Sequence, residues 1–182
     1  MSIKVKNICI DGIDKTKKSY IIKEMRKFLK EKRSDEDFYA IKGCEDNILT
    51  LQEVLLEESP NMLILKEDSV LSLMDLHLEE GCGILSLEAS FEEILRKERD
   101  IAQKHGSVYF FLIPESPISV ADRVDATSIF LNLTIRCDFF KNIKSYTISH
   151  GLNIELVYFD EEDKIYDIRD KILKILEEKY KI

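Results

Sequence analysis

Three residues near the amino end are spaced for phosphate chemistry. In "IDGIDKTKKS", Gly12, Lys18 and Ser19 stand at the offsets of a phosphate-binding loop, GxxxxGK followed by Ser or Thr. In such a loop the backbone amides curl around the phosphates. The lysine reaches the β and γ phosphates, and the hydroxyl binds Mg²⁺. The spacing therefore nominates Gly12, Lys17, Lys18 and Ser19 as nucleotide-binding residues, with ATP and Mg²⁺ as the ligand pair. Lys17 occupies the place of the second glycine. A left-handed backbone there without glycine costs about 1–2 kcal/mol, and a side chain obstructs the phosphate. The plainer reading of the same residues is a lysine-rich surface loop that starts a helix.

Other reactive side chains are scattered. Cys9, Cys44, Cys82 and Cys137 form no CxxC pair and have no histidine at ligand spacing, so they read as reduced thiols rather than a zinc site or a disulfide framework. His77, His105 and His150 accompany no nucleophile pattern and read as structural. Asn132 opens a sequon that reads as chance, and "EGCG" reads as a flexible loop. A formal net charge of -8 argues against a general affinity for nucleic acid or an anionic membrane, so any phosphate needs a local group of cations. The chain lacks a signal-peptide pattern and any apolar run of the roughly 20 residues needed to span a bilayer. A cytosolic protein, or alternatively a nuclear one, is expected. Its 182 residues, 45% hydrophobic, suit one domain over residues 1–182.

The elements that must position the loop alternate in type. Residues 4–10 are a short run rich in β-branched side chains, and residues 19–29 repeat Ile21, Ile22, Met25, Phe28 and Leu29 at helical spacing. "DFYAIKG" reads as a second strand, "NILTLQEVLLEE" as a helix and "NMLILKE" as a third strand behind Pro60. "VLSLMDLHLEE" and "LEASFEEILRKERDIAQKHG" read as helices, "SVYFFLIP" as a buried strand, and "PISVADRVD" as the start of a helix. "NIELVYF" is a fifth strand. The closing helix keeps Ile165, Ile168, Ile172, Ile175 and Leu176 on one face. The polar patch "KEKRSDED" reads as a solvated loop. This alternation predicts an α/β fold of three layers, a mostly parallel sheet of about five strands with helices on both faces. Ligands in such folds bind beyond the carboxyl ends of the strands, where the opening turn would lie.

The opening also resembles that of thymidylate kinases, a family of P-loop nucleoside monophosphate kinases. Asp11, Gly12, Asp14, Lys18 and Ser19 match its pattern, and Lys15 replaces an arginine. "KEDSVLSLM", "VYFFLIPESPISVADR" and the segment from "IRCDFF" through "DKILKIL" resemble later parts of the family in order, so the likeness runs from residue 3 to residue 178. It implies that Lys18 holds ATP phosphates, that Ser19 binds Mg²⁺ and that Asp14 accepts a hydrogen bond from the sugar 3′-hydroxyl. It also implies Lys15 near the transferred phosphoryl, Arg123 against the nucleotide, and a symmetric homodimer through helices near residues 70–80.

Three departures bear on activity. Lys17 is the first. The Asp-Arg pair of the family becomes Glu67 and Asp68, which leaves a carboxylate for hydrated Mg²⁺ and no arginine for the acceptor phosphate of dTMP unless Lys17 or Lys66 substitutes. Lys66 otherwise reads as a solvated lysine at a strand end. Finally, only 17 residues separate "FYAIKG" from "NMLILKE", where the family has a longer helical region whose Phe and Arg contact the base. The segment "VDATSIFLN" stands at the family's lid and holds no Arg or Lys. The expectation is a thymidylate kinase-like protein with reduced or lost phosphoryl transfer. The alternative is an inactive pseudokinase that binds nucleotide or an unknown protein partner.

Overall fold

The computed structural model describes residues 4–12, 15–70, 89–115, 151–160 and 162–182. The described elements run β1 (Asn7–Gly12), α1 (Lys15–Lys32), β2 (Asp37–Lys42), α2 (Asp46–Glu58), β3 (Met62–Glu67), α3 (Ala89–His105), β4 (Ser107–Pro114), β5 (Ile154–Phe159) and α4 (Ile165–Ile175). A π-helical turn, Leu176–Tyr180, ends the chain. The expected helices over "VLSLMDLHLEE" and "PISVADRVD", the lid position and most of the expected dimer helices lie outside the described residues.

All five strands pair in parallel, in the order β2-β3-β1-β4-β5. The fold is thus α/β with a five-stranded parallel sheet, as the alternation predicts. Side chains on successive strand residues go to opposite faces. On one face Ile8, Ile10, Leu63, Leu65, Phe110, Leu112 and Phe159 pack under α1 and α4, meeting Ile21, Met25, Ile168 and Ile172. On the other, Cys9, Ile64, Tyr109, Phe111 and Ile154 pack under α2 and α3, against Leu49, Leu56, Leu95 and Ala102. Burial on both faces explains why β4 reads as an almost continuous apolar run rather than an alternating one.

Two boundaries differ from the sequence reading. α1 begins at Lys15 rather than Ser19, because residues 15–18 lack any glycine or proline to resist the helix. The patch "KEKRSDED" is only partly a loop: its first three residues end α1, Asp37 opens β2, and the Glu36 carboxylate, 7% exposed, pairs with Lys4 at 2.9 Å and Arg33 at 3.0 Å.

In this order the chain leaves β1 to build β2 and β3 on one side, then crosses to build β4 and β5 on the other. The crevice at the carboxyl ends of β1, β3 and β4 is the point where strand order reverses, the place where open parallel sheets bind ligands.

Candidate functional site

Gly12 closes β1 at that crevice, beside Leu112 of β4. Its φ is +140°, and a Cβ there would stand 2.6 Å from the Leu112 carbonyl oxygen and 2.7 Å from its Cβ. Strand packing alone therefore demands glycine at this position. Residues 13 and 14 lie outside the described part, so Asp14 is not placed, and neither is Arg123. Lys15 is the first residue of α1.

Lys17 is the third residue of α1 and has helical backbone, not the left-handed conformation that a phosphate loop would ask of it. The position of the second glycine is thus already inside the helix. The Lys17 ammonium lies 4.1 Å from the centre of the Phe159 ring at the end of β5. Its charge also acts on Asp163. Burial raises that carboxyl, but the hydrogen bond from Lys171, the amide of Asp160 and the charges of Lys171 and Lys17 outweigh it, leaving it below the usual range.

Lys18 and Ser19 point toward the end of β3. The Lys18 side chain is 2% exposed and its ammonium is ion-paired with Asp68. Ser19 Oγ donates to Glu67 Oε2 at 2.6 Å, while Lys42 Nζ donates to Glu67 Oε1 at 2.8 Å. The hydrogen bond it donates to Glu67 raises the Lys42 ammonium above its ordinary value, against a smaller desolvation effect. A hydroxyl and a carboxylate within hydrogen-bond reach are hard oxygen donors suited to Mg²⁺, which takes one or two carboxylates and completes its shell with water and substrate phosphates. Among the described residues no group of three or more His, Cys, Asp or Glu could hold a metal ion.

The segment after β3 is tied down from three sides. Asp68, at φ +67°, donates its amide to the Ile10 carbonyl at 3.4 Å. Ser69 donates its amide (3.0 Å) and hydroxyl (2.6 Å) to the buried carboxylate of Asp11. The Val70 amide donates to Glu98 Oε2 at 2.7 Å, and the other oxygen of Glu98 takes Lys66 Nζ at 2.8 Å.

Lys66 is accordingly not solvated. Its side chain is fully buried on the α3 face of the sheet, away from the Lys18 face. Burial works against the ammonium, but the charge of Glu98 and the hydrogen bond to it more than offset this and hold Lys66 above its ordinary value. Burial also pushes up the nearby thiols, Cys44 to about 12 and Cys9 well above its usual range, with Glu98 adding to both and Lys66 opposing. Both are inert at neutral pH.

Glu98, Lys42 and Ser69 escaped sequence reasoning. Glu98 had a readable signal. Ile94, Leu95, Ile101 and Ala102 form the buried stripe of α3, and Glu98 sits in its middle, an acid where the helical period puts an apolar residue.

No family model matches this chain, and no curated protein matches it. Among solved structures it is similar to the thymidylate kinase of Ehrlichia chaffeensis, with a TM-score of 0.52 and 11% identity over 97% of this chain and 100% of that one. At that identity the likeness is one of fold. The chain has a P-loop kinase-like fold, with its charged cluster at the crevice where such folds bind ligands.

Proposed function

We propose that this protein binds a nucleoside triphosphate with Mg²⁺ at the start of α1 and has reduced or lost the transfer of a phosphoryl group to dTMP. It is in this reading a thymidylate kinase-like pseudokinase. The observation that carries the nucleotide half is the meeting of Lys18 with Asp68 and of Ser19 with Glu67 at the end of β3, a cation and a hydroxyl against two carboxylates at the reversal of strand order. Lys18 would hold phosphate oxygens, while Ser19 and Glu67 would hold the Mg²⁺, which neutralises phosphate charge when bound.

The acceptor half is supported by Asp68. Where the resemblance implies an arginine for the acceptor phosphate there is a carboxylate, and the lysines considered as substitutes are engaged elsewhere, Lys17 on Phe159 and Lys66 on Glu98. A unit charge about 5 Å from another is worth roughly 3 kcal/mol at an effective dielectric of 20, so the exchange of sign opposes a phosphate acceptor strongly. One observation favours the second reading, an active dTMP kinase: the Ser19 and Glu67 pairing at 2.6 Å keeps the metal side of the site assembled.

Thermal denaturation with and without ATP and Mg²⁺ tests the nucleotide half. Ligand at 100 times its dissociation constant stabilises a fold by about 2.7 kcal/mol. The wild type is expected to gain stability with ATP and Mg²⁺, and Lys18→Ala to lose most of that gain. An unchanged midpoint for the wild type at millimolar ATP contradicts the proposal.

A further inference from the structure

We infer that Asp68 is a built-in counter-ion of Lys18, which a phosphate ligand must displace, so that this one carboxylate sets the protein's affinity for polyphosphate. The inference rests on the nucleotide-binding reading of the Lys18 site and adds what limits it. Lys18 is 2% exposed and Asp68 21% exposed, so the ammonium is buried against a carboxylate that itself reaches solvent. A phosphate that pairs with this ammonium competes with Asp68 for it.

The carboxylate is aimed rather than incidental. Its backbone sits at φ +67°, a conformation that Asp tolerates better than most residues. Its own amide is held by Ile10, and the next two amides are held by Asp11 and Glu98. Two carboxylates that accept from this segment are themselves buried, at 0% exposure for Asp11 and 1% for Glu98. Among the described residues each of these cations has a carboxylate of its own: Lys18 faces Asp68, and Lys42 faces Glu67. Among these four groups no surplus cation waits for a triphosphate. A pair with one member so deeply buried is screened far less by salt than a surface pair.

When only a fraction of molecules is competent, the apparent dissociation constant rises by the inverse of that fraction. Removing the charge of Asp68 should then tighten binding, through Lys18 alone. The experiment is calorimetric titration of inorganic tripolyphosphate, and of ATP with Mg²⁺, into the wild type, Asp68→Asn, Asp68→Gly and the double variant Lys18→Ala with Asp68→Asn. The glycine variant relaxes the positive φ and keeps the test open if the asparagine variant does not fold. The expected result is binding about tenfold tighter or more in Asp68→Asn and Asp68→Gly than in the wild type, with the gain abolished in the double variant. Equal binding by wild type and the Asp68 variants overturns the inference and leaves the nucleotide-binding reading standing. A gain that survives Lys18→Ala overturns it too, because the effect then does not pass through Lys18. No binding by any variant at millimolar ligand removes both.

Discussion

At position 12 the need for glycine comes from β4 as much as from any ligand. A methyl group there would overlap the Leu112 carbonyl oxygen at 2.6 Å, and φ +140° adds strain for any L side chain. Gly12→Ala is expected to cost about 2–3 kcal/mol, the combined scale of an unfavourable backbone region and an overpacked core. Urea denaturation checks this, and a loss under about 0.5 kcal/mol, the usual scale of a neutral surface change, would show that β1 and β4 do not meet as described. The residue scale is also where the sequence was least legible. Gly12, Lys18 and Ser19 were visible as a spaced motif, but the partners of Lys18 and Ser19 lie 50 and 48 positions away, and no local pattern announces them. Lys17 is visible as a departure, and of the two readings of its place, a strained phosphate loop or a lysine-rich start of a helix, the structure has it in the helix with its ammonium over Phe159.

Among the elements, β3 and α3 share a charged contact inside an apolar layer. Lys66 and Glu98 are 0% and 1% exposed, and Glu98 also holds the Val70 amide. Breaking one side of such a pair leaves a buried charge without its partner and typically costs 3–5 kcal/mol, while removing both charges recovers much of that. Glu98→Gln is expected to destabilise the protein by about 3 kcal/mol in denaturant unfolding, since the amide oxygen can still accept from Val70 but no longer balances Lys66. Adding Lys66→Met to it should restore most of the loss. A double variant no more stable than the single would mean that the charges are not paired in the folded protein. The strands and helices themselves are readable because periodicity is local: β4 as an almost continuous apolar run, α4 as a stripe of Ile165, Ile168 and Ile172. The buried pair was not, because it depends on which helix covers which strand. Only the lone acid on the stripe of α3 hinted at it.

For the whole molecule, the order β2-β3-β1-β4-β5 puts the start of α1 and the end of β3 at one crevice, and the likeness to a thymidylate kinase at a TM-score of 0.52 extends over 97% of the chain. Fold does not carry activity with it. Among the described residues the crevice holds two ion pairs, Lys18 with Asp68 and Lys42 with Glu67, and Asp68 stands where the resemblance implies an arginine. Exchanging about 3 kcal/mol of attraction for about 3 kcal/mol of repulsion at the acceptor phosphate amounts to about four powers of ten in rate. The most direct measurement of the central claim is the turnover of γ-labelled ATP into dTDP, with saturating dTMP and Mg²⁺ and the folded protein at micromolar concentration. The account predicts a rate below about 10⁻² per second, and a rate in the range of about 1–100 per second typical of kinases would contradict it.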